Sequence, residues 1–308
     1  MKNILLLSMI PLLALTSCSA PNACKIATLG ILDVLNDHGS PIVRATVNGH
    51  PAAFLVDTGA FQSLIWSNQI EPFGITMQPQ TTLVRGVGGE TFANVVTLDS
   101  LGLGTGHARD INMLSVEHKN KYSVGGVPFI GIFGADFLRN YDLNLDLPQK
   151  QISLFAVEGC NSQIPPWTGS YTTAPYTTPF DDSSKVQVVL KVNNHDINTI
   201  FDTGAGQSLL SEDSVKDSDV TESELKKDKI SQSSGISEDK FDTYLHKFKT
   251  FSFGGLEFKN IPLRVADVDS NLLGADFMRH YRIWIPKYGK NMFIQKEGNT
   301  GYITVEQK

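Results

Sequence analysis

The sequence predicts an all-β protein with few short helices, built from two pseudo-symmetric halves. Its 308 residues are 41% hydrophobic and 19% charged, an ordinary globular composition with room for two domains. Sequence blocks recur in the same order along the chain, which indicates an internal repeat. Short apolar runs flank turn residues, and helical patterns are few, so most elements are expected to be strands.

The repeat is clearest in two pairs of eight-residue blocks. Asp57–Leu64 and Asp202–Leu209 share Asp-Thr-Gly-Ala-x-Gln-Ser-Leu at an offset of 145 residues. Gly134–Tyr141 and Gly274–Tyr281 share Gly-Ala-Asp-Phe-x-Arg-x-Tyr at an offset of 140 residues. Chance does not give two such matches in one order, so the chain carries a duplication or a fusion of like domains.

Each half begins with a predicted β-hairpin. Ile42–Val47 and Ala53–Val56 flank Asn48-Gly49, which is a strong turn signal. The same pattern recurs in the second half over Val186–Val192 and Ile197–Phe201. Short helices are expected near Phe137–Asn140, near Phe277–His280 and in the polar segment Ser214–Lys229.

Composition divides the chain into five segments. We expect a signal peptide over 1–17, an N-terminal tether over 18–39, the first half over 40–160, a connector over 161–180 and the second half over 181–308. The connector is assigned because this stretch is rich in Pro, Thr and Ser, which favours an extended linker over a core element.

The N-terminus resembles a bacterial lipoprotein signal. A basic start at Lys2 and an apolar run over 4–15 precede Leu15-Thr16-Ser17-Cys18. The resemblance implies cleavage before Cys18 and attachment of acyl chains such as palmitate to it, and Ser19 favours sorting to the outer membrane. We therefore expect a lipid-anchored protein of the bacterial cell envelope, on the periplasmic or surface side. Ordinary secretion with cleavage nearby is the alternative.

Two cysteines remain if Cys18 carries lipid. Cys24 and Cys160 could form a disulfide in an oxidising compartment, and two free thiols are the alternative.

Charge and histidine placement exclude two classes of partner. A net charge of −6 and a pI of about 5.6 do not provide the basic face that nucleic acid needs, so no nucleic-acid partner is expected. His50 and His195 lie at matching turns without clustered carboxylates or cysteines. We predict no metal site and no cofactor.

The two halves each place one aspartate at the end of an apolar strand. Asp57 and Asp202 would lie at the edge of a hydrophobic interior, where a carboxylate is costly unless it is hydrogen-bonded or protonated. Glycine allows the backbone to turn and bring amides toward each carboxylate, and threonine offers a hydroxyl that can bond to the other half. These supporting residues are Thr58, Gly59, Thr203 and Gly204.

The Asp-Thr-Gly-Ala motif, a glycine-rich segment some thirty residues later and a following hydrophobic-hydrophobic-Gly motif resemble the retropepsin-type aspartic protease family. The resemblance covers roughly 40–155 and 183–285 and implies a single chain with two retropepsin-like β-barrel halves of the acid protease kind. It implies that Asp57 and Asp202 meet at a pseudo-twofold axis, hold one water and act together as an aspartic endopeptidase on a peptide or protein substrate. A monomer with an intramolecular pseudo-dimer is expected.

Two glycine-containing loops resemble the substrate-covering flaps of the family. The first lies at Gly86, Val87, Gly88 and Gly89. Its counterpart, at Ser233, Ser234 and Gly235, has one glycine and follows an acidic, lysine-containing stretch. We expect two unequal flaps, and a plain surface hairpin is the alternative for each.

Two further pairs of equivalent positions bear on the site. Pepsin-like relatives often have Ser or Thr after Asp-Thr-Gly, but this chain has Ala60 and Ala205, which predicts less acidic carboxylates and a mildly acidic to near-neutral optimum. Asp136 and Asp276 are expected to be structural, with hydrogen bonds to the backbone or to the arginines of their own motif, Arg139 and Arg279.

Two functions of different class remain open. The first is an active peptidase that uses Asp57 and Asp202. The second is a catalytically inactive, peptide-binding envelope lipoprotein on the same fold. An enzyme that also cuts its own connector is a variant of the first.

Overall fold

The computed structural model describes the chain over 24–86, 89–118, 121–159, 164–178, 185–234, 240–296 and 301–302. Within these ranges, no helix is long and apolar enough to cross a membrane.

The first half runs through eleven strands and one α-helix of the described chain, with a 3-10 turn at Ser67–Gln69. In chain order these are β1 (Lys25–Asp33), β2 (Ile42–Val47), β3 (His50–Val56), β4 (Leu64–Trp66), β5 (Thr76–Gly86), β6 (Gly89–Leu103), β7 (Gly106–Val116), β8 (Ser123–Val124), β9 (Val127–Phe133), α1 (Ala135–Leu138), β10 (Asp142–Asp146) and β11 (Gln151–Glu158).

The second half repeats this succession after a short connection. Its described elements are β12 (Trp167–Thr168), β13 (Thr172–Thr177), β14 (Gln187–Val192), β15 (His195–Phe201), β16 (Leu209–Ser211), α2 (Glu212–Lys216), α3 (Glu222–Leu225), β17 (Lys229–Ser234), β18 (Lys240–Phe253), β19 (Leu256–Ala266), β20 (Leu272–Leu273), α4 (Ala275–Met278), β21 (Tyr281–Ile285), β22 (Asn291–Lys296) and β23 (Gly301–Tyr302).

Both halves have the same strand order. It is β2-β3-β9-β4-β7-β6-β5 in the first half and β14-β15-β20-β16-β19-β18-β17 in the second. The additional pairings β2–β6 and β14–β18 curl each sheet into a barrel. The predicted all-β fold with two like β-barrel halves and few short helices is therefore confirmed.

A further sheet segment joins the two barrels. Its strands follow the order β1-β11-β10-β21-β22-β13, so both halves contribute to it. At its centre β10 pairs antiparallel with β21, with Leu143 opposite Ile285 and Asp146 opposite Arg282. The halves are thus held together by main-chain hydrogen bonds as well as by side-chain packing.

The expected tether over 18–39 contains a strand. β1 pairs with β11 from Lys25 to Asp33, and Leu32 is fully buried. Most of the earlier residues of β1 are exposed because it forms the edge of the joining sheet. An exposed edge strand carries little apolar alternation, so this strand could not be predicted from the residue pattern.

The expected connector over 161–180 is also more structured than its composition indicated. β13 pairs with β22 along Thr172–Pro175, and Ala174 and Trp167 are buried. This Pro- and Thr-rich segment forms a strand because its main chain pairs with β22. Amino-acid composition alone cannot predict pairing with a distant strand.

The predicted helical segment Ser214–Lys229 resolves into two separate helices. The Ser211 hydroxyl caps α2 by accepting from the amide of Ser214 (3.1 Å), and Thr221 forms a capping box with Glu224 at the start of α3. The segment ends where β17 begins, at Lys229.

A buried ion pair lies in the joining sheet. Arg282 Nε is 3.2 Å from Asp146 Oδ2, with side chains 1% and 5% exposed, and the guanidinium lies 4.9 Å from the ring centre of Trp167. Trp167 packs with Trp284 and Phe155 in a small cluster of its own. The pair therefore links one strand of each half through a desolvated contact.

Asp146→Asn should lower the free energy of unfolding by about 3–5 kcal/mol, because the buried Arg282 charge loses its counter-charge. Chemical denaturation would measure this loss. The matched control is Asp196→Asn at the exposed Lys191–Asp196 pair (2.9 Å), which should cost about 1 kcal/mol or less. Equal losses for the two variants would contradict the prediction.

Candidate active site

Asp57 and Asp202 occupy the same place in the two halves. Each follows a strand that pairs in parallel with its neighbour, β3 with β9 and β15 with β20. The Asp57 amide donates to the carbonyl of Phe133, and the Asp202 amide donates to that of Leu273, both at 3.0 Å. The apolar strands thus carry both aspartates to the boundary between the halves.

The following loop wraps its amides around each carboxylate. Oδ1 of Asp57 accepts from the amides of Gly59 (2.9 Å) and Ala60 (2.8 Å). Oδ1 of Asp202 accepts from Gly204 (2.8 Å) and Ala205 (3.1 Å). In each loop, two backbone amides thus hold one oxygen of the carboxyl group and restrict its rotation.

The two carboxyl groups face each other across the boundary, and a hydrogen bond joins them. Each also lies against the glycine of the opposite loop. A Cβ atom on Gly59 would lie 2.4 Å from Cγ of Asp202, and one on Gly204 would lie 2.2 Å from Cγ of Asp57. No other residue type fits there, because any side chain would displace the opposite aspartate.

Thr58 and Thr203 lock the halves together beneath the aspartates. The Thr58 hydroxyl donates to the carbonyl of Phe201 (2.6 Å) and accepts from the amide of Thr203 (3.0 Å). The Thr203 hydroxyl does the same toward Val56 (2.7 Å) and the amide of Thr58 (3.0 Å). Both threonines are buried, so these bonds are formed without competition from water.

Burial dominates the electrostatics of the pair. Burial, which removes solvent from the carboxyl group, is the main cause that raises the pKa of Asp57 to about 7, and repulsion from Asp202 is the second cause. Burial also raises the pKa of Asp202, while the hydrogen bond from Asp57, the loop amides and the positive charge of Lys185 oppose that rise. Below about pH 7 the two groups therefore hold at least one proton between them, and they titrate as a pair.

Comparison with known proteins agrees with this geometry. The profile of an aspartyl protease family matches residues 43–137 and again 188–277, which together make up more than half of the chain. The chain belongs to this aspartyl protease family. Each matched region contains one of the facing aspartates.

A solved structure supports the same fold for this family member. The crystal structure of the aspartic proteinase from Irpex lacteus superposes with a TM-score of 0.57 at 13% identity, covering 90% of this chain and 99% of that chain. No curated protein matched the sequence. At this identity the structural likeness concerns the fold alone.

Asp136 and Asp276 support the aspartate loops of this family member from below. Oδ1 of Asp136 accepts from the amide (2.9 Å) and hydroxyl (2.7 Å) of Ser63. Asp276 holds Ser208 with the same two distances. The expected bonds to backbone are present. They are the first of the two alternatives that the sequence offered, and Arg279 donates to the carbonyl of Gly39.

Sequence reasoning overlooked the two serines, although both repeat blocks carry them. Ser63 Oγ accepts from the amide of Gly134 (2.9 Å), and Ser208 Oγ accepts from that of Gly274 (3.0 Å). Each serine thus ties the aspartate loop to the second block of its own half. Its recurrence at the same position of both blocks was the available signal.

The two predicted flaps are unequal hairpins. β5 and β6 stay paired up to Gly86 and Gly89, whereas Val87 and Gly88 lie outside the described residues. In the second half, β17 and β18 pair Ser233 with Phe241 and Ser234 with Lys240, and Gly235 lies outside the described residues. β5 has 11 residues and β17 has 6, because α2 and α3 take up the preceding chain.

The two predicted histidines lie at the opposite ends of the strands that lead to the aspartates. His50 and His195 are exposed at the starts of β3 and β15. Cys24 takes part in a disulfide, and the other two cysteines, Cys18 and Cys160, lie outside the described residues. Lys25 pairs with Glu158, so Cys24 is adjacent to the strand end that leads toward Cys160.

Thr58→Val should separate the role of the hydroxyl from that of side-chain volume. The change leaves the Thr203 amide and the Phe201 carbonyl without their buried partner, which costs about 1–3 kcal/mol for an unsatisfied group. Thr58→Ser keeps the hydroxyl and should retain most of the stability. Thermal and chemical unfolding of both variants would measure the difference, and an equal loss in both would show that the hydroxyl is unimportant.

Proposed function

We propose that this protein is an aspartic endopeptidase in which Asp57 and Asp202 activate a water molecule to hydrolyse a peptide bond. One observation carries the proposal: a buried carboxyl, that of Asp57, and a half-buried one, that of Asp202, come from different halves and share a hydrogen bond. Two carboxyls sharing one proton can act as general base and general acid in the same step.

The proposed reaction assigns different roles to the two aspartates. Asp202, the ionised member, takes a proton from the attacking water while the water oxygen bonds to the peptide carbonyl carbon. Asp57 gives its proton to the carbonyl oxygen, so the tetrahedral intermediate is neutral. In the second step, Asp202 returns its proton to the amide nitrogen and Asp57 takes one back from a hydroxyl group. The C–N bond then breaks.

The supporting residues do separate jobs in this scheme. The amides of Gly59 and Gly204 hold the carboxyl of their own loop in place by donating to its Oδ1. Thr58 and Thr203 fix their separation by bonding across the boundary. The hairpins would cover an extended peptide and exclude water from the reacting atoms, which strengthens the electrostatic interactions there.

The pKa shifts set the expected pH dependence. Activity needs one proton on the pair. It should fall as pH rises through about 7, where the pKa of Asp57 lies, and fall again once pH drops below the raised pKa of Asp202. A mildly acidic to near-neutral optimum is therefore expected, as Ala60 and Ala205 also indicate.

Asp57→Asn and Asp202→Asn should each reduce peptide cleavage at least about a thousandfold, because either change removes a proton-transfer group. The assay is mass spectrometry of a peptide library incubated with the purified protein from pH 3 to pH 9. Asp196→Asn on the exposed β14–β15 hairpin serves as the control with unchanged rate. Wild-type peptide binding without cleavage would favour the inactive, peptide-binding alternative.

The stability of the Asp57→Asn variant checks that any loss of activity is chemical. The pKa of Asp57 is raised on folding from 3.8 to about 7, so the native state binds more protons than the unfolded state between those values. Wild-type stability therefore decreases as pH rises through this window. The asparagine variant escapes that loss and should melt at a higher temperature than wild type at pH 8, with the difference shrinking at pH 4.

We further propose that Cys18 anchors the protein to the bacterial envelope through acyl chains, with the folded part on the periplasmic or surface side of the outer membrane. The support is the Leu-Thr-Ser-Cys motif after a short apolar run. Mass spectrometry of the N-terminal peptide from the native host should show acylated Cys18. Cys18→Ser should release the protein from the membrane fraction, and an unmodified Cys18 would contradict the anchor.

A further inference from the structure

The two sides of the candidate cleft differ in chemistry at one equivalent position. In the first half, Leu64 of β4 lies opposite Leu114 of β7. In the second half, Leu209 of β16 lies opposite Arg264 of β19 in the same parallel pairing. The two like halves therefore have a leucine and an arginine at the same point of the fold.

Arg264 joins the aspartate loop to the second hairpin. Its Nε donates to the side-chain oxygen of Gln207, five residues after Asp202. Its Nη1 donates to the hydroxyls of Ser231 and Thr243 (3.0 Å for Thr243), which form a cross-strand pair of β17 and β18. The guanidinium thus lies where the hairpin meets the loop that carries Asp202.

These partners leave the positive charge uncompensated. Gln207, Ser231 and Thr243 are all neutral, and within the described part of the chain no carboxylate pairs with Arg264. Nη2 makes no hydrogen bond to the described residues, so its two N–H groups remain for another acceptor. An arginine fixed by neutral partners is well suited to bind a carboxylate.

The first half is apolar where the second half is charged. Leu114 is 8% exposed, and Ala93, whose counterpart is Thr243, is fully buried. Phe61 follows Ala60 and is 48% exposed, whereas Gly206 follows Ala205 and has no side chain. The first half therefore offers apolar surface beside its aspartate loop, and the second half offers space and a cation.

We propose that Arg264 determines substrate specificity by binding an acidic side chain of the peptide, Asp or Glu, on the second-half side of the cleft. Side chains lying against the first half meet apolar surface instead. The inference rests on the proposed peptidase function, and it deepens that function by naming the preferred substrate as a peptide that is acidic on one side of the scissile bond.

Paired peptides that differ only by Glu or Gln at one position would test this inference. The wild type should prefer Glu over Gln by about tenfold or more in kcat/KM at one position, because a charged acceptor binds guanidinium much more strongly than a neutral one. The preference should weaken as salt is added. No Glu preference at any position would overturn the proposal.

Three variants separate specificity from stability. Arg264→Leu, which installs the first-half residue, should abolish the Glu preference, because kcat/KM then falls much further for the Glu peptide than for the Gln peptide. Arg264→Glu should instead favour Lys at the same position, a reversal that damage to folding cannot produce. Leu114→Met, a change of similar size in the first half, should keep the Glu preference. An equal loss on all peptides in the Arg264 variants would assign the arginine a purely structural role.

Measurements of peptide binding test the role of Arg264 separately from the proposed peptidase activity. If no peptide is cleaved, the peptidase proposal fails, but calorimetry with the same Glu and Gln peptides still decides the role of Arg264. Tighter binding of the Glu peptide that disappears in Arg264→Leu would support the arginine site, and equal binding would refute it.

Discussion

The reciprocal hydrogen bonds of Thr58 and Thr203 are the constraint on which the candidate site depends. Each hydroxyl reaches the carbonyl of the residue just before the opposite aspartate, Phe201 or Val56. The distance between the two carboxyls is therefore set by bonds formed immediately beside them. Either half without its partner would leave the threonine hydroxyl and amide without these hydrogen-bond partners. The two barrels therefore depend on each other at the candidate site.

Holding two carboxyl groups close together is electrostatically unfavourable, and the joining sheet supplies stabilising contacts between the halves. Two carboxyls in a desolvated place cannot both be charged, and the raised pKa values of Asp57 and Asp202 express this. The joining sheet contributes binding between the halves that does not depend on the aspartates. Its β10–β21 ladder and the buried Asp146–Arg282 pair stabilise the boundary whatever the protonation state above it.

The two halves agree at the base of the candidate cleft and differ in its walls. The Ser63–Asp136 and Ser208–Asp276 contacts have identical distances in the two halves, and the threonine bonds are nearly symmetric. In contrast, β17 is shorter than β5, and Arg264 takes the position of Leu114. Symmetry brings the two aspartates to equivalent places at the boundary, whereas unlike walls would suit the directional peptide of the proposed function.

The sequence alone determined the repeat, the strand-rich fold and the two aspartates with their threonines and glycines. These features are local, since Asp-Thr-Gly-Ala needs no partner to be recognised and an Asn-Gly turn predicts its own hairpin. It did not reveal β1 and β13 as strands, because their ladders are formed with residues far along the chain. Nor did it reveal Ser63 and Ser208 as the supports of Asp136 and Asp276.

Only the tertiary structure decided which residues meet across the halves. Gly59 could be explained from sequence by a sharp turn, but its actual constraint is the Asp202 carboxyl of the other half. Arg264 is one basic residue among many in the sequence, and it gains significance only from its position beside Gln207 and under the second hairpin. Sequence specifies local geometry well, whereas burial, charge and proximity arise from contacts between residues that lie far apart along the chain.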